Sequence, residues 1–466
     1  NDPILYSPPT AKFIYLLVLF IAIQPIIDIL TTFSIEILNT GATFGLFIRV
    51  AYMILSTVFI LSQVKQSTLA KKSLYYLITM GIFVVANLIV GYFYKPHFYL
   101  FSEVKYIVKT IYAVITFISL LLVFEYFRKN NVEYKKLFLN VFVISSITIG
   151  FVMIVSILTK TSLSSYDWTK VGYVGWFYAG NEIGAICAII LPILSYYAIS
   201  KTSSTKTIYT WIPFVLIGIS LVMFGTKVGF LSLIVVLLVT IIILLIAIFL
   251  KKNKSIKKNL QLNFGISLFL LISLVISTPF TPIYKNTFAH LSLLGIEFNQ
   301  ADESTSQTET QPNKDSHTDT TINNDQLENL ILSSRELFLE SYKEFYSQAP
   351  LSQKLFGMGY GGNFTQEPKM IEMDYFDIFY SFGILGSVLY FLPFLYTGVI
   401  ILRYLIHNLG MIFTPKYALL LSSVMLILGI AFLAGHVFTA PAVSIYVAFI
   451  FAYLLNDLKS ATKQSQ

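Results

Sequence analysis

Runs of about twenty apolar residues recur along the whole chain, and each is long enough to cross the hydrocarbon of a bilayer as a helix. Twelve can be marked, at roughly 12–32, 42–63, 74–94, 104–126, 137–158, 181–200, 208–225, 227–250, 260–280, 383–405, 415–435 and 437–456. The seventh and eighth, and the last two, are separated only by very short connections. In lipid every backbone N–H and C=O needs an internal partner, so runs of this length read as helices. Charged residues make up only 12% of the 466 residues and apolar ones 56%, whereas a soluble chain carries about 25% charged residues. The expected fold class is therefore an all-α polytopic membrane protein with about 12 transmembrane helices. A soluble enzyme, a DNA-binding protein and a disordered hub are excluded. The first run is long enough to span and lacks a small-residue cleavage site, so it reads as a span and not as a removable signal.

The net charge of +8 would fit nucleic acid in a soluble chain. Here all of the 32 Lys and Arg residues except Arg49 and Lys109 gather at the ends of spans and in the connections, as membrane topology places them. With the N-terminus inside, the inner connections hold Lys65, Lys71 and Lys72, then Arg128, Lys129, Lys135 and Lys136, then Lys201 and Lys206. They continue with the lysines of 251–258, Arg403 and Lys416. The short outer connections hold only Lys95, Lys105, Lys160, Lys170 and Lys227. Both termini are thus expected in the cytoplasm of a plasma-membrane protein. Cys187 is the single cysteine, which excludes an internal disulfide and a cysteine-based metal site. The five histidines are scattered with no close pair, and nothing asks for a metal or an organic cofactor.

Three regions follow: spans one to nine in 1–280, one large external loop at 281–382, and spans ten to twelve in 383–466. Within the loop, 301–326 contains only Ala301 and Ile322 as apolar residues and is expected to be a disordered spacer. Residues 327–347 read as an amphipathic helix, with Leu327, Ile331, Phe338, Tyr342 and Phe345 on one stripe and Glu336, Glu340 and Glu344 opposite. A Gly-rich stretch at 355–364 and an acidic stretch at 371–377 come next. The Gly-rich letters follow no strand, so turns suit them better than a nucleotide loop. No internal repeat is visible, which weighs against transporters built from repeated halves.

Charges within or at the rim of spans are expensive and are functional candidates. Asp28 lies near the outer end of span one, and Arg49 about seven residues, roughly 10 Å, below the outer end of span two. Lys105 and Lys109 share one face at the outer start of span four. Asn181 and Glu182 open span six, Lys227 opens span eight, and His436 follows span eleven. All fall at the outer leaflet. Cations on one leaflet of a bundle suit a phosphate, which Arg grips bidentately and Lys as a point charge. The plain alternative is that these side chains only snorkel to the interface. Arg335 falls on the edge of the amphipathic stripe, where docking of the helix would aim it at the bundle. Glu372, Asp374 and Asp377 could supply a general base for an acceptor hydroxyl. Equally, they could be acids favoured by a helix N-terminus.

Several stretches resemble a known superfamily. They are VGYVGWFYAGNEIGAICAIILPIL at 171–194, FGTKVGFLSL at 224–233, SSRELF at 333–338 with LFGMGYGG after it, EMDYFDIFYSFGILG at 372–386, and GHVFTAPAVS at 435–444. In order and topology they are similar to the O-antigen ligase and Wzy polymerase superfamily in its Gram-positive form. The resemblance implies a GT-C-like, metal-independent glycosyltransferase of the outer face, with a polyprenyl-pyrophosphate-linked glycan as donor. It implies pyrophosphate binding by Arg335, Arg49 and Lys227, where many relatives have Ser-Arg in place of Thr226-Lys227. Ligases of the superfamily place a His-Asn pair where this chain has Glu372. That difference favours a polysaccharide polymerase and leaves the base between Glu372 and Asp374. Lys105, Lys109 and His436 are further candidates for phosphate or glycan contacts, beside Asn181 and Asp377. A chain-length regulator is a possible partner. A ligase to another envelope acceptor, a lipid-linked oligosaccharide flippase and an envelope scaffold are the rival readings.

Overall fold

A computed structural model describes residues 8–41, 43–165, 171–251, 253–293, 335–365 and 369–464. Among them, eleven helices are long and apolar enough to cross a membrane, or twelve with one bent pair taken as a single span. The protein is an all-α polytopic membrane protein, and each of the twelve apolar runs seeds a helix at its own place.

The first run is not one straight span. It forms α1 (Pro8–Ala22) and α2 (Gln24–Glu36), which bend by 60° at Ile23. Pro25 in the first turn of α2 has no N–H to continue the ladder. Then come α3 (Phe44–Ser62), α4 (Thr68–Tyr94), α5 (Leu100–Lys129) and α6 (Tyr134–Leu158). A short antiparallel pair, β1 (Leu163–Ser164) and β2 (Tyr173–Gly175), precedes α7 (Gly180–Lys201). The chain continues through α8 (Ile212–Phe224), α9 (Lys227–Leu250), α10 (Lys254–Ser277) and α11 (Pro282–Leu293). After 294–334 come α12 (Arg335–Gln348), α13 (Leu351–Phe356), α14 (Asp374–His407), α15 (Pro415–Leu433) and α16 (Pro441–Gln464). The expected spacer at 301–326, and Leu327 and Ile331 of the expected stripe, lie outside the described residues.

Helix α16 is the axis of the bundle. Its spanning stretch is wholly buried, as a helix that is apolar all round should be. It packs against α5, α7 and α14. The acid Asp457, near the end of α16, is satisfied by Tyr417 Oη at 2.7 Å and Lys416 Nζ at 2.5 Å.

The elements between α11 and the spanning part of α14 form a small cap with its own core among the described residues. Tyr342 of α12 is fully buried beside Met358, Ile371, Met373 and Tyr380. Phe345 and Phe364 pack edge to face at 4.8 Å on the same cluster. The amphipathic stripe therefore docks as its spacing suggests, while Glu340 and Glu344 stay exposed.

One structural detail joins cap and bundle. Helix α14 begins at Asp374, nine residues before the apolar run starts at 383, and is broken at Gly383 (φ 67°, ψ −171°). The break frees carbonyls, and the Gly-rich loop uses them. Met358 N–H donates to the Tyr380 carbonyl at 2.8 Å and Gly359 N–H to that of Ser381 at 3.0 Å. Asn87 of α4 donates to both the Phe356 and Ser381 carbonyls. A Cβ at Gly383 would lie 2.5 Å from the Gly357 nitrogen, so the two backbones cross where only glycine fits.

Candidate active site

The site lies at the end of the bundle where α5, α7, α14 and α16 begin and the cap sits. It consists of two cavities. The larger, about 610 Å³, is lined by Asp28, Arg49, Lys105, Lys109, Tyr112 and Glu182 among others. The smaller, about 290 Å³, is lined by Lys105, Tyr106, Lys109, Glu182, Tyr360, Glu372, Asp377, His436 and Thr439 among others. Lys105, Lys109 and Glu182 line both. The two lysines are one helical turn apart on α5, so they present two ammonium groups along one face. Among the described residues neither has an ion-pair partner within 4 Å, and Glu182 has none either.

Arg49 is placed differently. Its Nη2 pairs with Asp28 Oδ1, and its Nε donates to Gln24 Oε1 at 3.4 Å. Both charged side chains are largely buried, 12% and 16% exposed. Pairing is what makes such a depth tolerable. The guanidinium is thereby fixed in the wall of the larger cavity.

At the mouth of the smaller cavity three charged groups meet. Arg335, the first residue of α12, places Nη2 at 3.3 Å from Glu372 Oε2. His436 Nε2 lies 3.9 Å from the same oxygen, an ion-pair separation. The His436 imidazole, chiefly, holds the Glu372 carboxyl below its ordinary value; partial burial opposes this and Arg335 adds to it. For His436 burial pulls the other way, yet the surrounding carboxylates, Glu372 first, leave the imidazole above its ordinary value. Glu372 and His436 both adopt left-handed backbone, φ 64° and 59°. Such conformations cost of order 1–3 kcal/mol and cluster at functional sites. Gly435 sits between them, and a Cβ there would be 2.6 Å from the Glu372 carbonyl oxygen.

The other two carboxylates of the acidic stretch do different work. Asp374 is fully buried. It accepts from Val437 N–H at 2.7 Å, Phe438 N–H at 2.8 Å and Thr439 Oγ1 at 2.6 Å. Asp377 accepts from Ile371 N–H at 2.9 Å and Met373 N–H at 3.1 Å. Asp374 therefore holds the 436–439 turn, and Asp377 holds the 371–373 turn. Together they set His436 opposite Glu372. Of the three acids, Glu372 is the one with a substantially exposed carboxylate, 45%.

A second buried pair fastens the Gly-rich loop. Lys95 and Glu103 are bound to each other, and Lys95 Nζ also donates to the Tyr360 carbonyl at 2.6 Å. Glu103 Oε2 accepts from Tyr360 N–H at 2.7 Å. Burial holds the Lys95 ammonium below its ordinary value despite Glu103. This pair makes Glu103 an anchor for the cap.

The structure thus brings together Arg49, Lys105, Lys109, Arg335, Glu372, Asp377 and His436. Lys227 and Asn181 line neither cavity. Lys227 begins α9, whose N-cap is Thr226. Glu182 was noted only as the neighbour of Asn181, yet it is the one that lines both cavities. Adjacent helical residues point about 100° apart, and periodicity in an apolar helix does not say which faces inward. Gln24 and Tyr112 carried no sequence signal, since a polar or aromatic residue in a span is ordinary packing material. Among the described residues no three His, Cys, Asp or Glu side chains gather as a metal ion would need.

The protein is an all-α membrane bundle with two adjoining cavities that share two lysines under a small cap. The family described as O-antigen ligase like membrane protein matches residues 10–461, and the chain belongs to that family. Membership makes it a membrane enzyme of glycosyl transfer that acts on lipid-linked glycans. No curated protein matches the chain, and no solved structure does.

Proposed function

We propose that the protein is a polysaccharide polymerase of the outer face of the plasma membrane. It joins polyprenyl-pyrophosphate-linked repeat units into a cell-surface glycan, with both termini in the cytoplasm. The observation that carries this reading is the pair of cavities that share Lys105 and Lys109. Two lipid-linked substrates need adjoining pockets, and a leaving pyrophosphate needs cations between them. The acceptor hydroxyl on one unit attacks the anomeric carbon of the other. The bond from that carbon to the pyrophosphate oxygen breaks, and the pyrophosphate leaves on its lipid.

Glu372 takes the proton of the attacking hydroxyl. Its pairing with Arg335 and His436 keeps it ionised and ready. A pyrophosphate that draws the Arg335 guanidinium away would raise the basicity of Glu372 as the substrate arrives. Arg335, Lys105, Lys109 and the fixed Arg49 then oppose the charge that develops on the leaving group. Positioned cations of this kind are usually the largest single catalytic contribution. Lys227 stands apart from both cavities, so the reading does not depend on it.

The test is the purified protein in nanodiscs with lipid-pyrophosphate-linked repeat units and with product length read on a gel. A ladder is the expected result. A single transfer to another envelope acceptor would mean a ligase. Movement of the lipid-linked glycan across a vesicle membrane without any transfer would mean a transporter.

A further inference from the structure

A third cavity, of about 540 Å³, opens between α4, α5, α14 and α16 at the opposite end of the bundle. Arg128, on its wall, lies nineteen residues beyond Lys109 on α5, roughly 29 Å away along the axis. It therefore belongs to neither of the cavities described above. We infer that this third cavity binds an anionic phospholipid, its phosphate held by Lys72, Arg128 and Lys459 and its chains lying along the apolar wall. The reasoning does not depend on the proposed reaction.

Three observations point the same way. Lys72, Arg128 and Lys459 come from three different helices and line one cavity. Three cations there face one acid, Glu125, which also binds Lys129 Nζ and Ser67 Oγ, both at 2.9 Å, so the cavity carries an excess of positive charge. Asn456 also lines the cavity. It is 4% exposed, and its Nδ2 has no hydrogen-bond partner among the described residues. A buried amide donor without a partner is uncommon and calls for an explanation; rotated into the cavity, it can donate to a phosphate or glycerol oxygen. The remaining wall is largely apolar, and Leu392 and Tyr396 on it are 49% and 64% exposed on a spanning helix. Such a cavity opens sideways into lipid, so its occupant is an amphiphile. Basic pockets between transmembrane helices are the setting in which anionic head groups are bound.

Full-length protein in a nonionic detergent tests this, by native mass spectrometry and by melting temperature. The probes are dioleoylphosphatidylglycerol, dioleoylphosphatidylcholine and inorganic phosphate. Phosphatidylglycerol should be retained and should raise the melting temperature, whereas the other two should not. Substituting Lys72→Gln and Lys459→Gln, both near helix ends, should weaken phosphatidylglycerol by about fivefold for each charge removed. Asn456→Leu should weaken it further and leave phosphatidylcholine unchanged. Equal retention of the two lipids, or wild-type affinity in the double variant, would overturn the inference. Inorganic phosphate reproducing the whole effect would overturn it too, by assigning the cavity to a water-soluble anion.

Discussion

Replacing Arg335 by alanine separates a catalytic role from a structural one, because the two readings give different magnitudes. In the resting protein the guanidinium is 16% exposed, and its partner Glu372 is 45% exposed, at 3.3 Å. With the Glu372 carboxylate half open to solvent, the pair contributes about 1 kcal/mol to folding. A cation set against a developing pyrophosphate charge is worth far more. Loss of one such group costs about 100- to 1,000-fold in turnover, or roughly 3–4 kcal/mol. Arg335→Ala should therefore reduce polymer formation by about two to three orders of magnitude, with a melting temperature within a few degrees of wild type. Arg335→Lys should fall between the two, since it keeps the charge and loses the planar fork. The assay is the same reconstituted polymerisation, run beside a thermal melt in detergent. A full ladder from a folded Arg335→Ala protein would refute the placement of this side chain at the leaving group.

Three further outcomes follow from the geometry. Glu372→Gln should abolish transfer and leave folding intact, whereas Asp374→Ala should lower the melting temperature and membrane yield. The latter strands Val437 N–H, Phe438 N–H and Thr439 Oγ1, at about 1–3 kcal/mol for each buried group left unpaired; the reverse pattern in the two variants would contradict the roles given to them. Gly383→Ala should destabilise by about 1–3 kcal/mol, read as a fall in the melting temperature, because its φ of 67° and the Gly357 nitrogen 2.5 Å from an added Cβ both exclude a side chain. In the pH profile of the initial rate, the acid limb reports ionisation of Glu372 and should lie below its ordinary value of 4.5; His436→Gln removes the largest downward influence and should move that limb to higher pH, and an unmoved limb would disprove the coupling.

The same two groups set the sign of the stability dependence. Glu372 is held below 4.5, so its pairing is intact above that value and is lost as the pH falls through the depressed one. His436 is held above 6.5, so its pairing is intact below that value and is lost as the pH rises through the elevated one. Between about 4.5 and 6.5 both are charged and the cluster is at its most stable.

Much of this architecture was legible in the chain. The twelve apolar runs appear as helices at their expected places because lipid leaves a long apolar segment no alternative to internal hydrogen bonding. The stripe of Phe338, Tyr342 and Phe345 docks because a 3.6-residue repeat must bury its apolar side. Arg335 at the edge of that stripe reaches Glu372 for the same reason. The bend at Ile23 was not read from the sequence, where the first run is one span by hydropathy; Pro25 in the first turn of α2 is its physical cause.

Other features were decided only by packing. An acid before a span reads alike whether it anchors a turn or faces a cavity. Asp374 became an anchor because the 436–439 turn from the far end of the chain brings it three donors. Glu182, and not Asn181, reached both cavities because of the rotation α7 adopts against its neighbours. The break at Gly383 is silent in hydropathy, since its freed carbonyls are satisfied by Met358, Gly359 and Asn87. What the sequence determines by itself is which segments enter lipid, because solvation depends on composition. What the tertiary structure decides is which charges meet, because electrostatic and hydrogen-bonding partners lie at distances in space that no local pattern encodes.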